Sequence, residues 1–232
     1  MDTRQAQLLN FIVDQYTKTA QPVGSKLIAE MGQFDLSPAT IRHEMALLET
    51  AGYISQPYTS AGRIPSEKGY RFYVDNFIEE TDLPAKAKLL LVTLTKPFPK
   101  GQPELLKSLA KGLAELSTEA VFVGFSAQDI YYTGLANLFG QPEFSEQQLV
   151  FRLSQVIDHL DQVITDIFDQ VDEEVSVLIG SRNPFGRDCT LVLAKYQIKD
   201  SQHLVGIIGP MRMDYQQNIS LLKFSQRFIN QL

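Results

Sequence analysis

The stretch from Leu36 to Tyr73, LSPATIRHEMALLETAGYISQPYTSAGRIPSEKGYRFY, restricts the fold of this chain more than any other. It opens with Ser37-Pro38, a side-chain cap followed by proline at the first helical position, where a missing N–H costs nothing. Ile41, Met45 and Leu48 recur at helical spacing and make an inward stripe, which leaves Thr40, Arg42, His43 and Glu44 outward on the first turns. Gly52 ends the helix, and Tyr53 to Pro57 reads as a short strand. A polar hairpin tip follows, Tyr58-Thr59-Ser60-Ala61-Gly62-Arg63, with a return strand through Ile64. A short helix with polar outer turns, followed at once by a small hairpin with a basic tip, is the layout of a winged helix-turn-helix. Such a helix suits the major groove, and the wing lies on phosphate or in the minor groove.

The elements before and after this stretch complete the module. Asp2 to Ala20 reads as a helix with Leu8, Ile12 and Tyr16 four apart and Leu9 and Val13 beside them. Gln21-Pro22-Val23-Gly24 breaks it, and Ser25 caps a short helix, Lys26 to Met31, with Leu27 and Ile28 inward. Glu67 to Glu80 forms a further helix, and Thr81-Asp82-Leu83-Pro84 is a linker. The domains expected are a winged helix-turn-helix over 1–80 and an α+β domain over 81–232. In the second, Lys86 to Leu94 fits helix or strand equally, and Pro103 starts a helix reaching Leu116. Strands are expected at 120–125, 129–133, 175–179, 190–196 and 204–208. A long helix after Gln141 to Ser145, broken about His159, should end near Val171, and another should run from Asp214 to Gln231. Strands joined by hairpins, with helices collected on one face, make an α+β fold.

Charge is the awkward fact. The net charge is −6, and residues 1–80 carry seven Lys/Arg against ten Asp/Glu. Phosphate binding wants a positive surface. Between Ser55 and Tyr73, however, Arg63, Lys68 and Arg71 face only Glu67, so a narrow basic footprint on an acidic body is expected. Arg42 is the candidate for pairing bidentately with guanine, or else clamps a phosphate. Thr40 and His43 are candidates for base contact. Ser25, Lys26, Thr59 and Ser60 are candidates for phosphate and Ser37 for DNA contact, with Gly62 and Arg63 at the wing tip and Lys68 and Arg71 behind it. Tyr70 and Tyr73 are read as core.

Other chemistries lack a sequence basis. The single cysteine, Cys189, excludes an internal disulfide and a cysteine-based zinc site. His159 and His203 have no metal-ligand spacing, and there is no Gly-rich phosphate loop, nucleophile elbow or motif-bound carboxylate pair. Gly209-Pro210-Met211-Arg212 before a helix is either an anion site or a tight strand-to-helix turn. No run approaches the ~18 apolar residues of a membrane helix, and the N-terminus lacks a signal peptide's apolar core. No enzyme, cofactor, metal or membrane role is expected, and the setting is cytoplasmic.

Several stretches resemble the HrcA family of heat-inducible transcription repressors. They are Gln21 to Lys26, Leu36 to Arg42, Gln56 to Pro65 and Lys68 to Asp75. Later come Gln141-Pro142-Glu143-Phe144, Val177 to Gly180 and Ile208 to Tyr215, in the family's order. The resemblance implies a homodimeric repressor of heat-shock chaperone operons that binds double-stranded DNA at the CIRCE inverted repeat. It also implies a GAF-like regulatory domain after the winged helix and control by the GroE chaperonin. Family members have a long dimerisation insert where this chain has only Ser126 to Gly134, so the second domain is a shortened form. His43 and Tyr58 stand where the family more often has Asn and His. The alternatives are a winged-helix regulator whose GAF-like domain senses a small molecule, with a different operator, and a module whose head binds a protein.

Overall fold

The computed structural model describes residues 1–32, 34–79, 81–126, 129–145, 154, 160–168, 171 and 174–232. The chain divides into two compact units, Met1–Ile78 and Glu79–Leu232. We call them the head unit and the sheet unit.

In the head unit, α1 (Thr3–Thr19) starts from a capping box: Asp2 accepts from the Gln5 amide while the Gln5 side chain faces back to the Asp2 amide. Its Leu8, Leu9, Phe11, Ile12 and Val13 are buried. The second helix, α2 (Ser25–Glu30), begins at Ser25 itself, with Gly24 in the cap position and no side-chain cap. Ser25 is therefore the first helical residue rather than the cap. Ile28 is fully buried, but Leu27 is 43% exposed. Neighbours on a helix point about 100° apart, and a six-residue helix turns only one of them to the core.

Helix α3 (Pro38–Thr50) starts where the Ser37-Pro38 signal places it, and the Ser37 hydroxyl accepts from the Thr40 amide. The wing is shorter than its sequence suggests: β1 (Ile54–Ser55) pairs antiparallel with β2 (Ile64–Pro65). Val23 adds a bridge to Arg63 on the far side of β2. Then α4 (Glu67–Phe77), capped by Ser66, ends before the expected Glu80, because Ile78 is already extended. Tyr70 is core; the Tyr73 hydroxyl reaches Asp14.

The sheet unit opens with α5 (Ala85–Thr95), which settles the ambiguous apolar run as helix, and α6 (Pro103–Ser117). Strands β3 (Ala120–Gly124) and β4 (Ile130–Thr133) follow, then α7 (Leu135–Phe139), a 3₁₀ turn at Pro142–Ser145 and α8 (Leu160–Phe168). The chain closes with β5 (Ser176–Ile179), β6 (Cys189–Ile198), β7 (Ser201–Pro210) and α9 (Tyr215–Gln231). The sheet is antiparallel throughout, in the order β4-β3-β7-β6-β5. Most of the long helix expected before Val171, His159 included, lies outside the described residues.

Side chains alternate cleanly across this sheet. Phe122, Cys189, Leu191, Leu193 and Leu204 meet Leu138, Phe144, Ile164 and Ile167 in one core. On the opposite face α6 packs on β3 and α9 on β6, with the Thr190 hydroxyl 3.0 Å from that of Tyr215 and Tyr196 2.7 Å from Ser225. Helical elements thus cover both faces, not the one face expected. A mixed α+β unit of this kind is compatible with the GAF-like expectation. No helix among the described residues is long and apolar enough to cross a membrane.

Candidate nucleic-acid interface

Helix α3 organises the candidate site. Ile41, Glu44, Met45 and Leu48 face inward, while Ala39, Arg42, His43, Ala46 and Leu47 are exposed at helical spacing and make one outward stripe. The alanines were not singled out from sequence, although their three- and four-residue spacing from Arg42 and His43 was visible. Thr40 is half-buried, its hydroxyl 2.9 Å from that of Ser37.

Glu44, expected outward, is buried. Its carboxylate takes Arg4 Nη1 at 3.4 Å and Gln5 Nε2 at 3.2 Å, both from the first turn of α1. The other carboxylate of α3, Glu49, takes Arg63 Nε at 2.9 Å and Nη2 at 2.8 Å. Both acids of the helix are thereby neutralised from within, and the outward stripe carries no negative charge.

The wing is built on a close backbone approach. A Cβ on Gly62 would fall 2.5 Å from the carbonyl carbon and oxygen of Val23, so Gly62 is there to admit the Val23–Arg63 bridge. Ala61 N–H closes the tip on the Tyr58 carbonyl, and Gln56 Nε2 donates to the Ala61 carbonyl. Tyr58, Thr59 and Ser60 are exposed, with Ser60 left-handed at φ +69°. The tip itself is uncharged, because the cation at its base is turned onto Glu49.

The remaining predicted cations are also engaged. Lys68 Nζ donates to the Ala51 carbonyl at 2.8 Å and lies 4.2 Å over the Tyr53 ring. Arg71 pairs with Glu67 one turn away. Lys26, on α2 beside Ser25, is highly exposed and only 3.7 Å from Glu30, and Lys18 pairs with Asp14 at 3.9 Å. Of the head unit's lysines and arginines, Arg42 has no hydrogen bond or ion pair to any described residue. The expected basic footprint thus shrinks to Arg42, with Lys26 loosely tethered, on a helix face cleared of acids.

Cys189 is buried, which pushes its thiol up to about 12 and makes it a small structural residue. Arg212 does not wait for an anion: it donates to both oxygens of Glu143 and to Gln141, so the segment after β7 is a tied turn. No group of three or more His, Cys, Asp or Glu that could hold a metal occurs among the described residues. A cavity of about 280 Å³ beside α8 is lined by Asp166, Ser176, Leu178, Arg182 and Asn183 among others.

Comparison with known proteins follows the same division. The family described as HrcA protein C terminal domain matches residues 86–219. The heat-inducible transcription repressor HrcA of Carboxydothermus hydrogenoformans is 27% identical over 335 aligned positions, covering 100% of this chain and 98% of that protein. That span exceeds the 232 residues here, so a long stretch of the relative has no counterpart. The repressor of the same name from Acetivibrio thermocellus is 54% identical over 83 residues, 36% of this chain and 24% of its own. A crystal structure described as a hypothetical protein superimposes with a TM-score of 0.80 over 100% of this chain and 98% of the other, at 20% identity, a likeness of fold alone. With more than half of its length matched by the family's C-terminal domain, this chain belongs to the HrcA family.

Proposed function

We propose that the chain is a heat-inducible transcription repressor that acts in the cytoplasm. Its head reads an inverted repeat of the CIRCE type as a homodimer and blocks transcription of chaperone operons. Arg42 pairs with a guanine edge, and Thr40 and His43 lie against neighbouring bases. Ser25, Lys26, Ser37, Thr59 and Ser60 set the register on phosphate, while Gly62 shapes the wing and Arg63, Lys68 and Arg71 stand behind it. The observation that carries this reading is the stripe of α3, where an unpaired arginine projects from a helix whose own acids are both turned inward. The sheet unit regulates, since loosening it frees the heads and lowers operator affinity through linkage of folding to binding. Control by the GroE chaperonin belongs to the same proposal.

Titration of the full chain against a CIRCE duplex and a scrambled duplex at several salt concentrations tests it. The repeat should bind more tightly, and Arg42→Ala should erase ~1–3 kcal/mol of that preference. Equal binding of both duplexes by the unmodified protein sinks the reading. Light scattering should return a dimer, because a strict monomer leaves the repeat without a symmetric reader.

A second reading, a small effector bound by the sheet unit, is favoured by the cavity beside α8, where Asp166, Ser176, Arg182 and Asn183 supply polar groups around an apolar wall. Under it, DNA affinity changes with an added metabolite extract while the molar mass stays constant.

A further inference from the structure

The ion pairs of the head unit are not equivalent. Lys18–Asp14 and Lys26–Glu30 are i,i+4 pairs on single helices, with both lysines more than half exposed. Such pairs are worth a few tenths of a kcal/mol and open whenever a phosphate approaches. Arg63–Glu49 is different. It joins the base of the wing to the last turns of α3, two of its nitrogens converge on one carboxylate oxygen, and the side chains are 20% and 34% exposed. Two further carbonyls, those of Ala61 and Gly62, lie 3.5 Å from Arg63 Nη1. For Arg63 to reach a phosphate it must leave four contacts and abandon a carboxylate beside the duplex.

We propose that Glu49 is a specificity-determining residue of this repressor. It holds Arg63 at the wing base, keeps that guanidinium off phosphate, and so lowers affinity for DNA of any sequence while leaving discrimination to Arg42. Phosphate contacts add affinity to every sequence alike, and only base contacts choose between them. A head that ties down its wing arginine trades strength for selectivity, in keeping with a chain of net charge −6. The inference rests on the DNA-binding reading above.

Full-length protein titrated against the CIRCE and scrambled duplexes over a range of salt tests it. Glu49→Gln keeps the shape and removes the charge. It should tighten binding to the scrambled duplex, narrow the gap between the duplexes, and steepen the slope of log K against log salt by about 0.9, the contribution of one neutralised phosphate. Arg63→Gln alone should leave the wild-type slope unchanged, and the double variant should return to it. A Glu49→Gln slope equal to wild type overturns the proposal. So does an Arg63→Gln slope shallower by about 0.9, which means Arg63 already sits on phosphate. Should Glu49→Gln fail to fold, Arg63→Gln decides alone. Wild-type protein that does not distinguish the duplexes ends the functional reading and this inference together. A wild type that distinguishes them with an unmoved Glu49→Gln slope ends only the role of Glu49.

Discussion

The two units handle buried and half-buried charge in opposite ways. In the head unit both carboxylates of α3 find an internal cation, Glu44 in Arg4 and Glu49 in Arg63, and Glu67 on α4 pairs with Arg71. In the sheet unit Glu119, at the start of β3, is 4% exposed, and its Oε2 has no partner among the described residues. The cation that could serve it, Arg212, is bound to Glu143. Asn183 Nδ2 and Asn218 Oδ1 are likewise buried there with no partner among the described residues. Each such group costs about 1–3 kcal/mol of the unit's stability. The head unit pairs the acids of its helix, whereas the sheet unit keeps buried polar groups unpaired among the described residues.

Removing the buried acid gives the largest effect. Burial pushes the Glu119 carboxyl up to about 8 from 4.5, against the pull of Arg212 and with a further push from Glu143. The folded state therefore keeps a proton that the unfolded chain releases. Stability is complete below about pH 4.5 and is lost as pH climbs through 8. Glu119→Gln cannot ionise, so its advantage over wild type should grow across that window, reaching on the order of 3 kcal/mol at pH 7. Urea unfolding of both proteins at pH 5, 7 and 8 measures it, and parallel curves across the range contradict a buried unpaired acid.

What was legible in the sequence follows the same contrast. Ser37-Pro38, the Ile41, Met45 and Leu48 stripe and the short wing are local signals, and local signals placed α3 to within a residue. Glu44 was misread because its partners, Arg4 and Gln5, lie some forty positions earlier and only tertiary packing brings them to it. Arg63 looked like a wing-tip cation for the same reason, since its spacing from Glu49 matches no helical pair. The two-faced sheet did leave a trace. Ala120-Val121-Phe122-Val123 is apolar without alternation, and every residue of it is buried, as a strand covered on both sides requires. Glu119 left none: a glutamate before a strand is ordinary, and its isolation depends on where Arg212 points.

A backbone test sharpens the comparison on the head side. A Cβ at Gly62 meets Val23 backbone at 2.5 Å, and neither strand can yield without breaking the Val23–Arg63 hydrogen bonds of 2.9 and 2.8 Å. Gly62→Ala should cost the head unit about 1–3 kcal/mol and weaken operator binding. Gly24→Ala, where nothing lies within 4 Å, is the open-space control and should cost only the loss of glycine at the α2 cap, about 0.5 kcal/mol. Thermal unfolding separates them; equal melting temperatures exclude a wing held by this approach.

The smallest expected effect bears on how the head uses its lysine. Lys68 caps the C-terminal end of α3 through the Ala51 carbonyl and covers the Tyr53 ring, so its charge stabilises the helix dipole and the aromatic face. Lys68→Met should lower stability by about 0.5–1 kcal/mol, keep the packing of the stem, and leave the salt slope of DNA binding unchanged. A lysine on phosphate predicts the reverse, a slope shallower by about 0.9 with little change in melting. The two outcomes do not overlap. Together with Arg63→Gln they determine whether the head's affinity comes from its cations at large or from Arg42 on a face kept clear of acids.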